Sequence, residues 1–164
     1  PSLRAAFVQD GTITAANASS ISDGASALIL ANESAVQAQG LKPMAKIVAH
    51  ARSSRLPAEF TLAPVDAISS LLKKTGWSAD DVDLWEINEA FAMVTMLAMK
   101  AHGLDHSKVN VHGGACAQGH PIGSTGSRII VTLMHAMHHY GKQRGVAALC
   151  IGGGEATAVA IEKC

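Results

Sequence analysis

The sequence predicts an α/β fold, a mixed sheet covered by helices. Three observations carry this. Short β-branched runs alternate with stretches whose apolar residues recur at helical spacing. Glycines stand just past several of those stretches, where helices commonly stop. Near the C-terminus, strand-like runs at 146–150 and 156–161 flank a glycine triplet and read as an antiparallel hairpin.

In chain order, residues 12–15 are a short extended piece. The continuous apolar run 25–31 suits a buried strand, with a helix left open as the alternative. Residues 33–39 form a short helix stopped by Gly40, and 45–51, with Ile47 and Val48, form a strand. Residues 64–75 place Val65, Ile68, Leu71 and Leu72 at helical spacing before Gly76. A polar turn at 78–81 leads into a strand at 82–87. An Ala- and Met-rich helix at 89–102 ends at Gly103, and 108–112 is a short strand. Residues 121–140 form a long helix with Ile122, Ile129, Ile130, Leu133, Met134 and Met137 on one side. The sheet so assembled is mostly parallel, with an antiparallel edge.

The 164 residues suffice for one domain with a real core. Thirteen basic and thirteen acidic residues give zero formal net charge, which argues against a nucleic-acid partner. Charged residues are 16% of the chain, below the roughly 25% of ordinary soluble domains, so part of the surface is expected to be covered by another domain or subunit. No apolar run approaches the ~18 residues of a membrane helix. The chain starts at Pro1 and reads as part of a longer polypeptide. Its three cysteines, Cys116, Cys150 and Cys164, form no CxxC, which favours a reducing, cytoplasmic setting.

Residues 111–123, VHGGACAQGHPIG, carry the most chemistry. Gly113 and Gly114 permit unusual backbone angles or close approach. Pro121 suits the first position of a helix, which puts His120 at the cap. The positive helix end behind His120 disfavours imidazolium and leaves a neutral base. Three further motifs fall at element boundaries: Asn17-Ala18-Ser19-Ser20, Asn88-Glu89-Ala90-Phe91-Ala92 and Cys150-Ile151-Gly152-Gly153-Gly154. His135 and His139 share a helix face, but they read as a cationic helix end rather than metal ligands, and no metal is expected. Cys116 reads as packing, and Asn88 suits a helix cap.

Asn88-Glu89-Ala90-Phe91-Ala92, Gly113-Gly114-Ala115 with Gly119-His120-Pro121-Ile122-Gly123, and Cys150-Ile151-Gly152-Gly153-Gly154 resemble, in order and spacing, the three catalytic loops of the C-terminal half of thiolases. The nearest subgroup is acetyl-CoA acetyltransferase. The resemblance implies a five-stranded mixed sheet with helices on both faces, one of two similar halves. Residues 1–164 would be the C-terminal domain, with 1–24 leading in from the first half and carrying part of the coenzyme A site.

The resemblance also implies roles. His120 would deprotonate a nucleophilic cysteine of the first half and then donate to the thioester oxygen. Cys150 would move the α-proton of acetyl-CoA. Asn88 would hold a water that completes one oxyanion hole with His120, and the Gly152 N–H would serve the other. Ser19, Ala15, Phe7 and Phe91 would contact the pantetheine arm. Coenzyme A thioester would be substrate, with no permanently bound cofactor. The implied partners are the N-terminal half and further copies, as a dimer or tetramer. The chain alone would be inactive. A degradative 3-ketoacyl-CoA thiolase and a non-catalytic thiolase-like binding protein are the alternatives. Departures from the family pattern are Glu155-Ala156 in place of Met-Gly, Cys116 and Gln118 where aliphatic residues are common, and Ala16 where glycine is usual.

Overall fold

The computed structural model describes residues 2–164. Its elements are α1 (Glu33–Gln39), β1 (Ala45–Ser54), α2 (Ala63–Thr75), β2 (Leu84–Ile87), α3 (Ala92–His102), α4 (Ala115–Gln118), α5 (Thr125–His139), β3 (Arg144–Ile151) and β4 (Glu155–Lys163). Short 3-10 turns at Pro57–Glu59, Ala79–Asp81 and His106–Lys108 link them. Gly40, Gly76 and Gly103 end α1, α2 and α3 in the left-handed conformation, as their positions in the sequence predict.

The sheet order is β1-β4-β3-β2. β3 and β4 form the expected hairpin, with Cys150 opposite Ala156. The pairings β1–β4 and β3–β4 are antiparallel, and β2–β3 is parallel. The sheet is mixed as expected, but it is mainly antiparallel and has four strands. Residues 108–112 contribute only a bridge from Val109 to Trp85. The reason lies at Asn110, which turns the chain at φ 48°. Its side-chain amide then takes the place of a strand: Oδ1 accepts from Ile87 N at 2.8 Å and Nδ2 donates to Ile87 O at 2.9 Å.

Helices cover both faces. On one, α2 and α3 bury Ala67, Ile68, Leu71 and Ala98 against Trp85, Val146, Ala148, Ala158 and Ala160. On the other, α5 buries Ile129, Leu133, Ala136 and Met137 against Leu84, Ala147 and Ile161. Alternate residues of β3 serve opposite clusters, the period-2 pattern of a strand buried on both sides.

Four elements differ from the sequence reading. Residues 25–31 form no strand, and Ile29 is 96% exposed. An apolar strand needs a ladder partner and covering faces, and this chain's own sheet offers it neither. Residues 12–15 contribute only a bridge between Thr14 and Ala5. The helix expected at 89 begins at Ala92, because Phe91 is held extended (φ −136°, ψ 148°) by a bridge to Ala18. The long helix begins at Thr125 rather than Pro121. Pro121 leads a turn instead, its carbonyl accepting from Ser124 N and Thr125 N, both at 2.8 Å.

Candidate active site

The site is built where β2 and β3 end. These neighbours run parallel, with Ile87 opposite Ala148, so Asn88 and Cys150 emerge from the same edge of the sheet. The bond from Asn88 N to Ala148 O (2.9 Å) extends that pairing one residue past β2. The first turn of α5 packs on the same edge, with Gly126 beside Leu149, the residue before Cys150. Thr125 of that turn bonds His120. His120, Asn88 and Cys150 therefore reach one end of the sheet through three different connections. Groups at the carboxyl ends of parallel strands are commonly functional.

His120 is half-buried. The loop carrying it is threaded by residues 20–22: His120 N bonds Ser20 O at 2.9 Å, and His120 bridges Ile21. The crossing requires glycine at 119, which has φ 94° and where a Cβ would collide with the Ser22 hydroxyl. His120 Nδ1 lies 2.7 Å from Thr125 Oγ1, and that hydroxyl donates to Pro121 O at 3.0 Å. A hydroxyl has a single proton, so Thr125 accepts from Nδ1–H. The imidazole is thereby fixed with its proton on Nδ1 and the lone pair on Nε2. His120 was expected to be the helix cap, but Ser124 occupies the cap position. The expected neutrality has another cause: burial, and then the Arg128 charge, hold His120 below the usual histidine range.

Cys150 is buried, 7% exposed. Burial pushes its thiol up to about 11. The resting group is a protonated thiol that can act as an acid, and the thiolate it leaves is strongly basic. Gly152, two residues on, is exposed and a Cβ there meets nothing within 4 Å. The turn is shaped by Gly154 instead, at φ 97° and tight against the Arg55 carbonyl.

Asn88 is 1% exposed, and its Nδ2 is buried without a hydrogen-bond partner. Its Oδ1 accepts from Arg128 Nη2 at 3.4 Å. The helix cap expected of Asn88 is absent, because α3 starts four residues later at Ala92. Glu89 braces the neighbouring loop, where its Oε2 accepts from Cys116 N at 3.0 Å and its Oε1 from Asn110 Nδ2 at 3.3 Å. Gln118, one of the departures from the family pattern, pins the same loop by donating to His112 O at 2.7 Å.

The four residues expected at the pantetheine arm lie in the neighbouring N-terminal segment and the loop it crosses. Ser19 bonds Ala90 O through both its N–H (3.2 Å) and its hydroxyl (3.0 Å). Phe7 and Phe91 meet edge to face at 5.9 Å, and Phe60, absent from the sequence reading, approaches Phe91 at 6.1 Å. These are all three phenylalanines of the chain. Ala15 is exposed in a turn closed by Thr14 N donating to Asn17 Oδ1 at 2.7 Å. Sequence reasoning also missed Thr125, Arg128 and Glu86. His139, weighed as a metal ligand, stacks on Tyr140 at 4.7 Å between centroids.

A family model described as the C-terminal domain of thiolase matches residues 41–163, and one described as the N-terminal domain matches residues 1–34. The chain belongs to the thiolase family. It is 50% identical over 163 residues to a probable acetyl-CoA acetyltransferase of Dictyostelium discoideum, covering 99% of this chain and 39% of that protein. It is 46% identical to the cytosolic acetyl-CoA acetyltransferase of Mus musculus, covering 98% and 41%. Among solved structures it matches the Bacillus anthracis acetyl-CoA acetyltransferase with TM-score 0.97 and 43% identity, covering 99% of this chain and 41% of that one. The human mitochondrial 3-ketoacyl-CoA thiolase in complex with CoA gives TM-score 0.96 at 45% identity, with the same coverage. The chain thus spans about 41% of the length of these thiolases. The match of residues 1–34 to the N-terminal model gives the stranded apolar run 25–31 its explanation: it is sequence of the other thiolase domain.

Proposed function

We propose that this chain supplies the C-terminal half of a thiolase site that condenses two acetyl-CoA to acetoacetyl-CoA and CoA, and runs the reverse thiolysis. The observation that carries this is the His120 imidazole, kept neutral by burial and the Arg128 charge, with Nδ1 bonded to the Thr125 hydroxyl and the lone pair left on Nε2.

In the acyl-transfer step, His120 Nε2 takes the proton of a cysteine thiol in the N-terminal half. The thiolate attacks the acetyl carbonyl, and coenzyme A leaves as its thiol, taking the proton of the Cys150 thiol and leaving Cys150 as thiolate while His120 holds the first proton. In the second step the α-proton of a new acetyl-CoA passes to the Cys150 thiolate. The enolate carbon attacks the acetyl-enzyme carbonyl, the new C–C bond forms as the C–S bond to the enzyme breaks, and His120 returns its proton to the freed enzyme thiolate. Negative charge on the enolate oxygen needs fixed donors, each worth roughly 3 kcal/mol in comparable sites. Asn88 Nδ2, through a water shared with His120, and the Gly152 N–H fill these roles. Ser19, Ala15, Phe7 and Phe91 line the path of the pantetheine arm, and coenzyme A enters as substrate rather than as a resident cofactor. The partners are the N-terminal half and further copies of the enzyme, and the cytosolic name of the mouse relative supports a cytoplasmic location.

The test is made in the complete two-half enzyme. His120→Ala abolishes acylation of the nucleophilic cysteine, read by intact-protein mass spectrometry, and normal acylation overturns the role. Cys150→Ser keeps acylation but loses condensation. A second reading, degradative thiolysis of longer 3-ketoacyl-CoA, is favoured by the equally close human mitochondrial 3-ketoacyl-CoA thiolase. Turnover against acyl-CoAs of graded length separates the two.

A further inference from the structure

Beside Asn88 lie two buried charged residues, Glu86 and Arg128, to which neither the mechanism nor the family comparison assigns a task. Glu86 is 2% exposed and stands on β2, two residues before Asn88. Arg128 lies in the first turns of α5, three residues after Thr125. Glu86 Oε1, Asn88 Nδ2, Arg128 Nε and Arg128 Nη1 are all buried without hydrogen-bond partners. Leaving such groups unpaired is costly, and sites that tolerate it are commonly functional.

The one contact that is made has a direction. Arg128 Nη2 reaches Asn88 at 3.4 Å. A guanidinium has only donors, so the amide must present Oδ1 to it. The other end of the amide, Nδ2, is then forced away from α5, unpaired and available as a donor. Were Arg128 replaced by a group without donors, both amide orientations would become comparable, and half the population would present an acceptor where an oxyanion needs a donor.

We propose that Arg128 is a positioning residue: its guanidinium fixes the Asn88 amide with Nδ2 free to donate into the site. The Arg128 charge also disfavours imidazolium at His120, and Glu86 of β2 is faced by Arg128 and by Glu89. One cation thus sets the donor and the base together. The importance of this device for turnover rests on the thiolase reading. The positioning itself does not.

The experiment uses the full chain, isotopically labelled, and follows two NMR signals, the Asn88 side-chain amide and the His120 ring. In Arg128→Met the Asn88 amide samples both orientations, so nuclear Overhauser contacts of its Nδ2 protons, confined to one side in the parent chain, appear on both. The His120 titration midpoint moves up. Arg128→Lys restores a donor and the charge, and largely reverses both changes. If removal of one buried charge unfolds the chain, Arg128→Met with Glu86→Gln removes both partners and is measured instead. An Asn88 amide and a His120 titration unchanged in the folded variant overturn the proposal. In the two-half enzyme, Arg128→Met lowers kcat with KM nearly constant. If both NMR signals respond and kcat stays the same, the positioning stands and the assignment of Asn88 to thiolase chemistry fails.

Discussion

His120, Thr125 and Glu86 show how few atoms define the chemistry. The Thr125 hydroxyl spends its proton on Pro121 O and so commits His120 to one tautomer. Thr125→Val keeps the shape and removes that constraint. In the two-half enzyme it lowers kcat roughly 10- to 100-fold, the cost typical of losing a group that orients a functional histidine. Nitrogen chemical shifts of the His120 ring then report mixed tautomers, and a single unchanged tautomer contradicts the account. Glu86 makes a separate prediction about pH. Burial raises its carboxyl to about 7, with Arg128 opposing and Glu89 adding. Between the unfolded value near 4.5 and about 7, the folded chain holds more protons than the unfolded one. Stability therefore falls as pH rises through that window, by roughly 3 kcal/mol at most. Glu86→Gln is neutral at every pH. Its stability relative to the parent chain is expected to improve from pH 5 to pH 8 in urea unfolding, and a constant difference refutes the assignment.

At the level of elements, the β3–β4 hairpin separates structural from chemical glycines. Gly154, at φ 97° and against the Arg55 carbonyl, has no room for a side chain. Gly154→Ala costs about 2 kcal/mol or more, read by thermal or urea unfolding. Gly152 has open space around it. Gly152→Ala leaves stability within about 0.5 kcal/mol yet lowers turnover in the two-half enzyme if its N–H serves the oxyanion. Equal effects of the two substitutions on stability would reverse this reading. The same elements show what could be read in advance. The hairpin, α2 and the glycine stops of α1 to α3 depend on neighbours in sequence, and local patterns announced them. Pro121 misled, because a proline suits the head of a turn as well as the first turn of a helix, and only the Thr125 hydrogen bonds decide between them. The fifth strand dissolved for a reason no periodicity carries: an asparagine side chain can imitate a strand. Asn88, His120 and Cys150 stand out through their motifs as candidate site residues. Arg128, Glu86 and Phe60 do not, since each acts through contacts with residues distant in sequence.

At the scale of the whole molecule, the described residues leave a set of large apolar side chains exposed. Phe7, Val8, Ile21, Ile29, Leu30 and Ile122 are all exposed. Ile21 and Ile122 are brought to one side by the bridge between Ile21 and His120, so this surface adjoins the proposed site. Exposed patches of this kind mark an interface or an aggregation hazard. The family match of residues 1–34 supports the N-terminal thiolase half as the cover. The chain alone is therefore expected to bind an apolar dye such as ANS, to self-associate as concentration rises, and to be cut first by protease between residues 21 and 32. On the proposed reading, which places the nucleophilic cysteine in the N-terminal half, it is also expected to show no thiolase turnover. Adding the N-terminal half, in trans or as one polypeptide, should suppress the dye signal, protect 21–32 and restore turnover together, because one surface serves all three. Leu30→Asp places a charge in that surface without touching His120, Asn88 or Cys150, and should weaken all three effects in parallel. If instead turnover returns while residues 21–32 stay open to protease, the cover lies elsewhere on the molecule and the apolar segment belongs to a different partner.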